Sequence, residues 1–196
     1  MAEVNEQGRG QRTSRLRIFA WAGAGVLMLL PLVAMQFTDE VKWDGADFAF
    51  FGALLAGVGG TYELLARKSG SAAYRAAVGV ALAGAFLLVW INAAVGIIGS
   101  ENNDANLMFG GVLAVGVIGA ILARFQPAGM ARDLFATALA QVVVALIALI
   151  SGAGAGAPKW PIDLLVLTGF FAALWLASAM LFRRAAREQT PANAAA

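Results

Sequence analysis

The sequence predicts an all-α protein, a polytopic membrane helical bundle of six transmembrane helices. Three observations carry this. Hydrophobic residues make up 60% of the 196 positions and charged residues 13%, whereas soluble domains carry roughly 25% charged residues. Apolar runs of about 20 residues, the length that crosses a bilayer, recur between short polar connections. The basic residues collect on alternate connections, as cytoplasmic loops require. Polar tails over residues 1–15 and 184–196 are expected to be disordered and cytoplasmic, enclosing a membrane domain over 16–183.

The first span runs from Ile18 to Gln36, after MAEVNEQGRGQRTSR, with Pro31 expected to kink its far end. A cleaved signal peptide is the competing reading. It is disfavoured because signal cores are ~7–15 residues long and LVAMQ is a poor small-x-small cleavage site. An acidic loop with Asp39, Glu40, Asp44 and Asp47 leads into the second span, Phe48 to Ala66, which stops at Arg67 and Lys68. The third span, Ala76 to Ile98, follows RKSGSAAYR. The fourth, Leu107 to Ala123, follows GSENNDAN and is the shortest. RFQPAGMARD reads as a turn, with Pro127 and Gly129 as breakers. The fifth span is Leu134 to Ser151, GAGAGAPKWPID is a flexible loop, and the sixth span is Leu164 to Phe182.

Charge tests this layout independently. Of the 14 basic residues, all but Lys42 and Lys159 fall on the side that carries both termini, so that side reads as cytoplasmic. Asp39, Glu40, Asp44, Asp47, Glu101, Asp104 and Asp163 fall on the other. The pI near 9.4 therefore encodes topology and not a nucleic-acid surface. The absence of histidine and cysteine excludes His-ligated haem, thiolate metal sites and a Cys nucleophile. No lysine lies within a span, which excludes a retinal-type Schiff base. No cofactor, no metal and no enzymatic activity are expected. The glycines of GVGG and GAGAG lack the strand-to-helix setting of a phosphate loop, and the acidic loop matches no calcium-binding spacing.

A shift of 57 residues aligns Asp47 with Asp104, Arg67 with Arg124 and Arg75 with Arg132. This predicts a tandem two-helix repeat, the second and third spans matching the fourth and fifth, about an axis along the membrane normal.

Small residues recur at four-residue intervals: Gly52, Ala56 and Gly60; Gly79 and Ala83; Gly119 and Ala123; Gly169, Ala173 and Ala177. Helices in lipid associate through close backbone approach, so these ladders mark helix packing. Glu63 is the one acid inside an apolar run. Arg67 at i+4 favours local pairing, and a transport role is the alternative. Asn92 and Gln141 complete the candidate intramembrane polar site, each with an interhelical hydrogen bond as its plainer reading. Trp43, Trp160, Tyr62 and Tyr74 read as interfacial anchors, whereas Trp21, Trp90 and Trp175 lie within spans.

FTDEVKW with DFAFFGALL, and VWINAAVGIIGSENNDANLMFGGVLAVGVIG running on to RFQPAGMAR, resemble a family of small, uncharacterised bacterial multi-spanning proteins. The resemblance covers Phe37 to Arg132 and implies a bacterial inner-membrane setting with no assigned activity. The expected partners are the lipid bilayer and a second copy or a larger membrane complex, with no nucleic acid. The leading function is structural or accessory; a small permease or channel using Glu63, Asn92 or Gln141 is the alternative. The basic partition makes one direct prediction: a reporter active only in the cytoplasm works when fused at the C-terminus and fails when inserted near Gly154. The reverse pattern would show a miscounted span.

Overall fold

The computed structural model describes residue 18, residues 21–38 and residues 41–194, and all regular structure among them is helical. In chain order the helices are α1 (Trp21–Ala34), α2 (Gly45–Ala66), α3 (Ala72–Ala94), α4 (Met108–Leu122), α5 (Pro127–Ser151) and α6 (Ile162–Ala194). A short 3-10 turn, Asp104–Leu107, leads into α4. With that turn counted, five helices are long and apolar enough to cross a membrane, and α1 is a shorter apolar helix. The chain is therefore a multi-pass membrane protein of the all-α class. The expected tail over 1–15, together with Asp39 and Glu40, lies outside the described residues.

The chain divides into two compact units, one ending at Gly60 and one beginning at Thr61. In the first, Asp44 caps α2: its Oδ1 accepts from the Ala46 and Asp47 amides at 2.7 and 3.0 Å, and the Asp44 amide donates to Asp47 Oδ2 at 2.9 Å. This reciprocal arrangement works as a capping box does and starts the helix ahead of Phe48. Trp43 stacks edge-on against Phe48 and Phe51. Met28 and Trp21 approach α2 where Gly52 and Gly59 leave space.

The second unit is built on α6. Its buried positions, among them Leu164, Thr168, Phe171, Trp175, Ser178, Phe182 and Ala185, form one stripe of helical period. α6 packs against both α3 and α5, and α4 packs against α5. Trp175 lies across Gly84, where a Cβ would be 3.0 Å from the indole. Ser178 Oγ donates to the Ala77 carbonyl at 2.7 Å, and Phe182 meets Tyr74 edge to face. On α5 the core face runs Met130, Leu134, Ala138, Gln141, Ala145, Ala148, again at three- and four-residue spacing.

Several boundaries depart from the sequence reading. α3 starts at Ala72 because Ser71 Oγ accepts from the Tyr74 amide at 3.2 Å and caps it. It ends at Ala94, and the following residues leave the helix through Gly96 and Gly99, at φ +69° and +80°. α5 begins at Pro127, ahead of the expected Leu134. Proline is suited to the first helical position, whose N–H has no intrahelical acceptor. Gly129 does not break the helix; it lets α5 approach Ala123, whose Cβ would be 2.7 Å from a side chain there. α6 continues past Phe182 to Ala194 where a tail was expected. Glu188 on this extension accepts from Ser71 Oγ at 2.7 Å and pairs with Arg184 at 3.3 Å. Tyr74, read as a lipid anchor, is 2% exposed and donates its hydroxyl to the Phe125 carbonyl at 3.0 Å.

The 57-residue register extends to the helix boundaries. Subtracting 57 from 104–122 and 127–151 gives 47–65 and 70–94, against 45–66 and 72–94 for α2 and α3.

Close packing at Gly84 yields a stability test. Gly84→Leu forces the Trp175 ring out of its seat and is expected to cost about 1–3 kcal/mol. It lowers the midpoint of detergent-induced unfolding followed by circular dichroism. Gly57→Leu, with nothing within 4 Å of its Cβ, leaves the midpoint near wild type.

Candidate functional site

Residues 95–103 connect α3 to α4 without a helix, and their backbone groups are satisfied partly by backbone carbonyls and partly by asparagine side chains. Asn106, 5% exposed in the 3-10 turn, is the centre. Its Oδ1 accepts from the Ile97 and Ile98 amides at 3.0 and 2.8 Å, and its Nδ2 donates to the Ser100 carbonyl at 2.6 Å. The Asn106 carbonyl accepts from Asn92 Nδ2 at 2.9 Å. Asn103 Oδ1 caps the turn through the Ala105 amide, while its Nδ2 donates to the Ala153 carbonyl at 2.7 Å. That last bond ties the α3–α4 loop to the α5–α6 loop, so both lie at one end of the unit. A cleft of about 500 Å³ opens there, walled by Leu88, Val89 and Asn92 of α3, by the loop, and by Phe109, Gly110 and Leu113 of α4.

The opposite end carries Arg67, Lys68, Arg75, Arg124, Arg132, Arg183 and Arg184. Here Glu63 Oε2 lies 3.5 Å from Arg67 Nη2, with Glu63 21% exposed and Arg67 68%. This is an open i,i+4 pair, of modest energetic weight. Arg124 and Phe125 hold positive φ in the α4–α5 turn, and Lys68 Nζ sits 4.4 Å from the Phe125 ring centre.

Gln141 lies between these ends on α5, fully buried, with no hydrogen-bond partner on either amide atom. Thr137 and Asp133 precede it at four-residue intervals on the same face, both buried. Thr137 Oγ1 donates back to the Asp133 carbonyl at 3.0 Å, whereas Asp133 Oδ2 has no partner. The Asp133 carboxylate rests against Gly119 so closely that a Cβ there would overlap it, and Thr137 sits over Gly116. The sequence reading placed Asp133 in a loop and so missed it. Its register with Thr137 and Gln141 was the available signal.

Glu63, Asn92 and Gln141 therefore do not converge. Asn92 is 20 residues along α3 from its first residue, Ala72, about 30 Å at 1.5 Å per residue, so it stands at the end remote from Glu63. The packing residues also divide. Gly119 and Ala123 lie at the α4–α5 contact, Gly79 faces the Tyr62 ring at 3.6 Å, and Gly52 faces Met28. Gly60 and Gly169 have nothing within 4 Å of a Cβ. Ala56, Ala83 and Ala173 are exposed and Ala177 is half-buried. Gly84, Gly116 and Gly129, which make close contacts, were not among the expected positions.

No protein-family model, curated protein or solved structure matches this chain.

The asparagine centre makes a sharp prediction. Asn106→Leu strips two buried amides of their acceptor, at about 1–3 kcal/mol each. A large drop in the thermal unfolding midpoint in detergent is expected, while Asn102→Leu, on the exposed part of the same loop, stays within about 0.5 kcal/mol of wild type.

Proposed function

We propose that this chain is a structural or accessory protein of a bacterial inner membrane, without enzymatic activity, which associates with a second copy or a larger membrane complex through small-residue helix faces. The observation that carries this reading is the outward face of α6. Gly169 and Ala173 stand exposed there at i and i+4, among the exposed apolar residues Leu165, Val166, Phe170, Leu176 and Met180. A shallow groove of this kind lets a second helix approach closely in lipid. The interior ladder at Gly84, Gly116, Gly119 and Gly129 already holds neighbouring helices, so the α6 face is the part left over. The clustering of arginines at one end of the second unit supports a cytoplasmic placement for that end and for both termini.

A permease for protons, ions or a small polar solute is the second reading. It draws on the buried Asp133–Thr137–Gln141 ridge, because polar groups inside a membrane are costly and mark pathways by default. The local pairing of Glu63 and the engagement of Asn92 by the loop favour the accessory reading over it.

One experiment separates the two. Cysteines at Gly169 or Ala173, introduced into a chain that has none of its own, are expected to crosslink to a second copy or to another membrane protein in native membranes. Bulky residues at the same positions, Gly169→Ile with Ala173→Ile, are expected to abolish association. Monomeric behaviour with no crosslink, together with cation or proton flux in proteoliposomes that is lost in Gln141→Leu, would overturn the proposal.

A further inference from the structure

The cleft at the asparagine end has a chemistry of its own, independent of the packing role. We propose that it binds a hydrophobic organic cation: an ammonium head on an apolar chain, without an adjacent phosphate.

Charge selects the head. The four carboxamide nitrogens on the lining all donate into the protein: Asn92 to the Asn106 carbonyl, Asn102 to Glu101, Asn103 to the Ala153 carbonyl, and Asn106 to the Ser100 carbonyl. Each carboxamide has a second N–H, so the selection rests on formal charge. Glu101, exposed, receives a single bond from its neighbour, and Asp104 lies on the lining, also exposed. No lysine or arginine lines the cleft. Two carboxylates and no cation attract a positively charged donor and repel carboxylate or phosphate.

The walls select the tail. Leu88 lies one turn below Asn92 on α3, with Val89 beside it, and Leu113 lies one turn beyond Phe109 on α4. The polar rim thus gives way to an apolar slot whose accessible walls are the half-buried Val89 and Leu113, Leu88 and Phe109 being almost wholly buried. Gly110 keeps the slot open, since nothing lies within 4 Å of the position a Cβ would take. At about 500 Å³ the cleft falls within the range of small-molecule sites, which combine apolar walls with a few placed polar groups. An aminophospholipid carries the same head, but its phosphate would find no basic partner here.

The test uses the full chain purified in nonionic detergent and native mass spectrometry with decylammonium, decanol and decanoate as probes. One decylammonium per chain is expected to be retained, with decanol weaker and decanoate absent. The double variant Glu101→Gln with Asp104→Asn changes exposed loop positions only and is expected to weaken retention about tenfold or more. Gly110→Leu fills the slot without touching a charge and is expected to block binding while the unfolding midpoint stays near wild type. Equal retention of decanoate would overturn the proposal, as would wild-type binding in both variants. Preferential retention of phosphatidylethanolamine over decylammonium would overturn the phosphate-free head.

Discussion

A backbone that leaves helical geometry beside a bilayer must find its hydrogen bonds within the protein, because lipid offers none. The second unit depends on how that constraint is met between α3 and α4. Gly96 and Gly99 take the left-handed conformations that end α3, and the Ile97 and Ile98 amides, both buried, would then lack acceptors. A single carboxamide supplies both. Asn106 does so because the 3-10 turn places it under the loop, and that turn is in turn capped by Asn103. Asn103 reaches the α5–α6 loop as well, so one chain of amides fixes the spacing of four helices at this end.

The other end uses different means for the same requirement. Tyr74 satisfies the Phe125 carbonyl where Arg124 and Phe125 adopt positive φ, conformations that cost energy in non-glycine residues. Between the ends, the helices are held by shape. Large rings meet missing side chains, as with Trp175 on Gly84, and polar groups occupy glycine faces, as with Asp133 on Gly119 and Thr137 on Gly116. Close approach with matched surfaces is the main source of helix association in lipid, where burying apolar area against other apolar area gains little.

The helical class and the number of apolar helices were legible because hydropathy and charge sign report on the bilayer directly. Boundaries were less so. Pro127 was read as a breaker because proline's effect depends on position: in a helix interior it interrupts, whereas at the first position, where Pro127 stands, it opens one. Tyr74 and Asp133 were misread for one reason: a polar residue near an apolar boundary looks interfacial until its helix is extended, by about one turn for α3 and two for α5, and the residue is placed in the core. The ladder rule found Gly119 and missed Gly84, since the partner that makes Gly84 necessary is a tryptophan 91 residues further along the chain. The cleft could not be read at all. Its lining combines α3 and α4 side chains with a loop whose path is dictated by Asn106, and no spacing in the sequence encodes that path.

The 57-residue register separates the shared residues from the unshared ones. Helix boundaries agree between the two halves to within two residues, yet the polar groups of the core fall where the halves differ. In the 57-residue register Asp133 aligns with Ala76, Gln141 with Gly84, Asn92 with Leu149 and Asn106 with Ala49. Residues needed only to build a hairpin would be expected in both copies, as the aspartates at the helix starts and the arginines after them are. A buried polar group present in one copy alone carries the desolvation cost without being part of the shared scaffold. Asn92 belongs to the first helix pair and Asn106, Asp133 and Gln141 to the second, so the asparagine loop with its cleft bridges the two pairs and the α5 ridge lies in the second alone. Chemistry beyond membrane packing is to be sought at these unshared positions, and the cleft is where two of them, Asn92 and Asn106, meet.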